Sequence, residues 1–337
     1  MHAQPGNGPS TEERTVAAPR RPRGVPSPAV VWGAVAVLVL TALCGWLVVS
    51  REDGSGSRRA AAPAAAERMA LPWPEDGQAG VAITGQGEIG TSGKQTPVPI
   101  ASVTKVMTAH VVLRSRPLRE GEPGPSIPVD QRAADESWSR DESTVVLEAG
   151  RRLTQRQLLE LLLLPSGNNA ARLLARWHSG SEKAFVAEMN RAARDLGMDR
   201  TTYTGASGLE ATTTSTAADQ LLLARAVMRD KVFRSIVATP EVTVGGATGT
   251  VVNTNKLLGR DGVVGLKTGS STPAGGALMW AAETGEGHGS GLILGVVLHQ
   301  RAGTTPAAGL QAAFDSSRRL ITAVRDGLRG DRSTRRA

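Results

Sequence analysis

An α+β domain, with an all-helical lobe inserted into an antiparallel sheet lobe that helices flank, is the fold class this sequence predicts. Strand-length apolar runs stand near both ends of the folded part, and a long middle with helical spacing and caps separates them. An uncharged stretch ahead of the domain adds an N-terminal transmembrane helix to the expectation.

Residues 1–28 are rich in Pro, Gly, Ser and Arg with no apolar periodicity, which predicts a disordered cytoplasmic tail. From Ala29 to Val49 no residue is charged, and roughly twenty apolar residues suffice to cross a bilayer as a helix. Trp32 and Trp46 stand near its ends, as interfacial aromatics do. A cleaved signal peptide is the rival reading, with the Ala/Pro tract at 60–66 as its small-residue site. The run exceeds the usual apolar core of about 7 to 15 residues, so an uncleaved single-pass anchor is favoured. Arginines flank the segment on both sides, so the charges orient it weakly. Residues 50–70, with Gly54-Ser55-Gly56-Ser57, read as a flexible linker, and the folded part is expected over 71–328, followed by a disordered basic tail at 329–337.

Within the domain, Gly80–Thr84 and Glu88–Ser92 read as a hairpin turning at Gln86-Gly87. The G-x-G-x-x-G string at 85–90 is a decoy, because a dinucleotide fingerprint requires a helix directly after the glycines. Ala101–Leu113 is apolar on most sides, as in a buried helix. Thr154 and Gln157 form a capping box before Leu158–Leu164, which Pro165 stops. Helical spacing resumes over Asn169–Trp177, and Ser181 caps a further helix that Gly197 ends. Val263–Ser270, Ala277–Glu283 and Gly291–Gln300 are strand-length runs that predict an antiparallel meander, covered by a last helix from Ala307 to about Leu328.

A formal net charge of +8 raises the question of nucleic acid, but arginines are scattered and aromatics make up only 3%, so no nucleic-acid partner is expected. The single cysteine, Cys44, excludes an intramolecular disulfide. The five histidines form no metal-ligand spacing and there is no G-x-S-x-G elbow, so neither a metal nor another cofactor is expected.

Three short motifs carry the chemistry: Ser102 and Lys105 in Ser-Val-Thr-Lys, Ser166 and Asn168 in Ser-Gly-Asn, and Lys267-Thr268-Gly269. Each alone is commonplace. Their order, with gaps of roughly sixty and then roughly a hundred residues, is that of penicillin-recognising serine enzymes. A serine hydroxyl becomes nucleophilic when a neighbouring base takes its proton, and a lysine made neutral by burial or nearby positive charge is such a base. Arginine cannot serve. That distinction has force here, because only six of the 39 basic residues are lysines. In this reading Ser102 is the nucleophile, Lys105 its base, Ser166 a proton-handling hydroxyl, and Asn168 an amide that bonds Lys105 and the substrate backbone. A charged Lys267, with Thr268, attracts a substrate carboxylate. Gly269 permits close approach of the acyl group, and the N–H groups of Ser102 and Ser270 form an oxyanion hole.

The sequence resembles the low-molecular-mass penicillin-binding proteins, the serine D-alanyl-D-alanine carboxypeptidases, over about residues 71–328. Beyond the three motifs the likeness rests on Pro99–Ala109, Leu162–Ala171, Ser207-Gly208-Leu209, Ser215–Asp219, Asn253–Leu258 and Gly265–Gly269. It implies a β-lactamase/DD-peptidase-like fold at the extracytoplasmic face of the cell membrane. The implied substrates are peptidoglycan stem peptides ending in D-Ala-D-Ala, cleaved through an acyl-enzyme on Ser102 that β-lactams also form, in cell wall biogenesis and cell shape. The family's Ser-Ala-Asn-Asp stands here as Ser166-Gly167-Asn168-Asn169, and its Asn-Pro-His-Gly-Leu-Asp as Gly205-Ala206-Ser207-Gly208-Leu209-Glu210. A C-terminal amphipathic anchor is not evident. A class A β-lactamase shares the motifs but needs a Glu-x-x-Leu-Asn string, which does not occur. A catalytically idle wall-binding or penicillin-sensing module is the alternative from a different class.

Overall fold

The structure is a computed structural model and describes residues 69–245, 249–285 and 291–336. The expected tail at 1–28 and the membrane span at 29–49 lie outside the described residues, as does all of the 50–70 linker except Met69 and Ala70. Among the described residues no helix is long and apolar enough to cross a membrane.

The chain opens with β1 (Gln78–Ile83), β2 (Gly87–Ser92), β3 (Val98–Pro99), a 3-10 turn (Ala101–Thr104) and α1 (Lys105–Ser115). The helical middle follows: β4 (Ser126–Pro128), α2 (Gln131–Asp135), a second 3-10 turn (Glu136–Trp138), β5 (Arg152–Thr154), α3 (Gln155–Leu163), α4 (Asn168–Ser179) and α5 (Glu182–Asp195). Then come β6 (Thr214–Ser215), α6 (Ala217–Val227), α7 (Lys231–Val237), β7 (Glu241–Val244) and β8 (Gly249–Val252). The chain closes with β9 (Val263–Ser271), β10 (Gly275–Glu283), β11 (Leu292–Gln300) and α8 (Pro306–Arg336).

Five strands form one antiparallel sheet in the order β2-β1-β11-β10-β9, so the first hairpin joins the last three strands edge to edge and the helices fall between them in sequence. That is the inserted architecture the sequence predicts. Side chains alternate across the sheet with period two. Ala79, Val81 and Ile83 of β1 and Leu278, Trp280 and Ala282 of β10 join Phe314, Leu320, Ile321 and Val324 of α8 in one core. Ala82, Ala277, Met279 and Ala281 face the other way, into a larger core shared with α1, α3, α4, α5 and α7. The helical lobe therefore has no separate core, and any residue on the Met279 face of the sheet points into the seam between sheet and helices.

Local signals explain most boundaries. The Thr154 capping box is present in both directions, Ser181 accepts a hydrogen bond from Ala184 N, and Gly197 follows α5 with φ +75°. Thr216 likewise caps α6 by accepting from Asp219 N. The buried helix expected over 101–113 begins instead as the 3-10 turn, with Ala101 at φ +45°, and becomes α-helical at Lys105. The decoy glycine string lies in the β1–β2 hairpin, where the residues after Gly90 continue as strand. Helix α8 runs to Arg336 rather than ending near Leu328, so the segment expected as a basic tail is helical as far as it is described.

Candidate active site

Ser102 sits half-buried in the 3-10 turn, and Lys105, one turn on, is wholly buried. The Lys105 Nζ lies 2.8 Å from Ser102 Oγ, 2.5 Å from Asn168 Oδ1 and 2.8 Å from the carbonyl oxygen of Ser207. Asn168 is the first residue of α4, and Ser207 lies in the loop between α5 and β6, so three distant segments converge on one amine. The expected meeting of the first two motifs is therefore realised. A carbonyl and an amide oxygen only accept hydrogen bonds. When Lys105 is neutral its two N–H groups go to Asn168 and Ser207, and its lone pair is left facing Ser102, the one neighbour of the three able to give a proton.

Several forces favour the neutral form of that amine. Burial lowers the Lys105 pKa most, followed by the positive charges of Lys267 and Arg172, against the smaller opposing influence of Glu142 and Glu210, so it falls well below the usual lysine range. Lys267 projects from the edge strand β9 opposite Met279, hence into the same seam, and is buried. Its Nζ donates to Thr268 O at 3.1 Å and lies 3.4 Å from Thr268 Oγ1. With no carboxylate among these partners, burial lowers its pKa to about 7. Burial thus works against the positive charge expected of Lys267 from sequence.

Gly269 has a structural role beside the one its sequence suggests. A Cβ there would stand 3.0 Å from Ile100 O and from Val103 N and 3.1 Å from Ser102 N, so the glycine lets β9 lie against the serine's own turn. Gly208 does the same from the other side, with φ +79° and no space for a side chain beside Ala101 O and Thr104 Oγ1. Ser270, next to Gly269, is half-buried. Thr268 Oγ1 bonds Thr254 Oγ1 at 2.7 Å, and Thr254 N donates to Leu164 O at 3.1 Å, which ties the strand to the residues just before Ser166.

Ser166 is buried with φ +69°, and its Oγ has no hydrogen-bond partner among the described residues, so the hydroxyl is bonded to neither Ser102 nor Lys105. Asn169 explains one departure from the family pattern. Its Nδ2 is within hydrogen-bond distance of Ala133 O, Ser137 Oγ and Val145 O, and its Oδ1 accepts from Val145 N, a clamp that needs an amide. Gly205 and Glu210 form a matched pair, since a Cβ at 205 would collide with the Glu210 carboxylate.

Glu142 and Arg172 are site residues the sequence reading did not single out, while Thr254 and Ser207 lie in segments that carry the family likeness without an assigned role. Asn168 Nδ2 donates to Glu142 Oε2 at 2.6 Å, and Arg172 grips the same carboxylate at 2.7 and 3.1 Å while bonding Glu136 at 2.9 Å. Helical spacing from Asn168 places Arg172 one turn along α4, a signal available in the sequence. Glu142 lies in a loop and has none. No group of three or more His, Cys, Asp or Glu suited to a metal occurs among the described residues.

A half-buried serine hydrogen-bonded to a buried lysine whose neutral form is favoured, with a second lysine on the bordering strand, defines a serine acyl-transfer enzyme of the penicillin-recognising kind. The profile of the D-alanyl-D-alanine carboxypeptidase family, peptidase S11, matches residues 85–301, and the chain belongs to that family. Its enzyme class is therefore that of a serine-type D-Ala-D-Ala carboxypeptidase, a hydrolase. The chain is 33% identical over 211 residues to the D-alanyl-D-alanine carboxypeptidase of Streptomyces sp. K15, covering 58% of this chain and 72% of that one. It is 36% identical over 194 residues to the carboxypeptidase DacB2 of Mycobacterium tuberculosis, covering 56% and 63%. The crystal structure of the Streptomyces K15 DD-transpeptidase matches with a TM-score of 0.66 at 28% identity, over 75% of this chain and 98% of that one.

Proposed function

We propose that this chain is a membrane-anchored carboxypeptidase that removes the terminal D-alanine from peptidoglycan stem peptides, working on the outer face of the cell membrane. The observation that carries this reading is the Lys105 amine, whose two acceptor-only partners leave its lone pair to the Ser102 hydroxyl. Ser102 Oγ attacks the carbonyl of the penultimate D-alanine as its proton passes to Lys105. The N–H groups of Ser102 and Ser270 face the developing oxyanion. The C–N bond then breaks, and the departing D-alanine nitrogen takes that proton, relayed by the otherwise unpartnered Ser166 hydroxyl. Water next attacks the ester, its proton returns through Lys105 to Ser102, and the shortened peptide leaves. Lys267 and Thr268 hold the substrate's terminal carboxylate. Penicillins acylate the same serine. Residues 29–49, with Trp32 and Trp46 at their ends, anchor the protein, which suits a substrate outside the membrane.

Release of D-alanine from a peptide ending in D-Ala-D-Ala tests this reading, with Ser102→Ala as the inactive control. Hydrolysis of β-lactams in preference to the peptide points to a β-lactamase instead, and release of no product by a folded protein points to an idle module. Protease accessibility of the domain in intact cells, before and after the outer face is exposed, tests the anchored topology.

A further inference from the structure

We infer that Glu142 is a positioning residue for this acyl transfer: gripped by Arg172, it takes one amide hydrogen of Asn168 and so fixes which end of that amide meets Lys105. The carboxylate only accepts hydrogen bonds and the amine beside the other end donates them, so one orientation of the amide satisfies both neighbours. Turned over, Asn168 would set its oxygen against Glu142 and its NH2 against the Lys105 amine. The observed arrangement is the satisfied one, with Nδ2 at 2.6 Å from Glu142 Oε2 and Oδ1 at 2.5 Å from Lys105 Nζ.

Glu142 is itself held in place. Arg172, 8% exposed at its side chain, bonds both Glu142 oxygens and also Glu136, so the carboxylate has little freedom to rotate away. Burial pushes the Glu142 pKa up, but the hydrogen bonds from Arg172 and Asn168 outweigh it, and the group stays charged through neutral pH. The consequence reaches the base. The charged groups acting on Lys105 are Lys267 and Arg172, which favour its neutral form, and Glu142 and Glu210, which favour the protonated one. Glu142 thus does two separable things: it orders the acceptor that takes a Lys105 hydrogen, and it raises the pH at which Lys105 becomes a base.

The inference rests on Ser102 as nucleophile, and two measurements on the full-length protein separate its failure from a failure of that reading. Titration of Lys105 by NMR, with carbon-13 in its six lysines, needs no activity. In Glu142→Gln the Lys105 transition moves to lower pH, since a favouring negative charge is gone while an acceptor for Asn168 remains. The rate of acylation by a fluorescent penicillin then gives the second readout. Its acid limb in Glu142→Gln moves in the same direction with the plateau kept within a few-fold. In Glu142→Ala the plateau drops roughly tenfold to a hundredfold, the equivalent of losing one hydrogen bond to a charged group. An unmoved Lys105 titration in the Gln variant, or an Ala variant that folds and keeps the wild-type plateau, overturns the inference. If wild-type protein is not acylated at all, the nucleophile reading falls and the lysine titration alone decides. An Ala variant that does not fold leaves the decision with the Gln variant.

Discussion

Replacing Lys267 by methionine is expected to stabilise the domain while removing the cation proposed to hold a substrate carboxylate. The side chain is 1% exposed, and among the described residues its hydrogen bonds reach the carbonyl and hydroxyl of Thr268. Burial moves its pKa from 10.5 to about 7. Unfolding therefore takes up a proton between those two values, so this group makes the native state more stable as pH rises from about 7 to about 10.5 and exacts its full cost below about 7. At about 1.36 kcal/mol per pH unit that cost is roughly 4–5 kcal/mol. Losing the bond to Thr268 removes about 1 kcal/mol of stabilisation, and methionine matches the lysine stem closely in volume. Urea unfolding at pH 6 should show Lys267→Met more stable than wild type by roughly 3–4 kcal/mol, and the gap should close toward pH 10.5. The reasoning fails if the variant is no more stable at pH 6, or if the gap is the same across that range.

The two lysines also shape the rate profile. In kcat/KM, which reports the free enzyme, activity should rise as Lys105 loses its proton and fall again above about pH 7 as Lys267 loses its own. In kcat the falling limb should sit higher, because a bound carboxylate keeps Lys267 charged; identical falling limbs in the two profiles contradict the assignment. Gly269→Ala should leave the domain folded but force β9 off the serine turn, at about 1–3 kcal/mol, with acylation slowed roughly tenfold or more; stopped-flow labelling and thermal unfolding together check this. Asn169→Asp should destabilise by roughly 2–4 kcal/mol, since it sets a carboxylate oxygen against the carbonyls of Ala133 and Val145. A denaturant midpoint unchanged in that variant would falsify the clamp.

Most of the scaffold was legible because its signals are local. Strand-length runs bounded by turn residues over 78–92 and 263–300, the Thr154 capping box and the Ser181 cap each need only a few neighbouring residues to be read. The 3-10 turn at Ser102 was not, because its geometry is imposed by Gly208 and Gly269, which press on it from remote parts of the chain. For the same reason the motifs named Lys105 and Asn168 but not Glu142 or the Ser207 carbonyl, whose places follow from loop packing and leave no periodic trace. The end of α8 is not legible, because the apolar stripe that covers the sheet stops near Leu328, while the backbone keeps its helical hydrogen bonding to Arg336 without it. The burial of Lys267 without an acidic partner among the described residues is likewise invisible in the sequence.

Where the acyl group attaches tests the account most directly. Full-length protein incubated with a fluorescent penicillin, quenched in acid and digested, should carry the label on the peptide containing Ser102, and Ser102→Ala, folded to the same extent, should carry none. Label on another residue, or a Ser102→Ala protein labelled as fast as wild type, would contradict it.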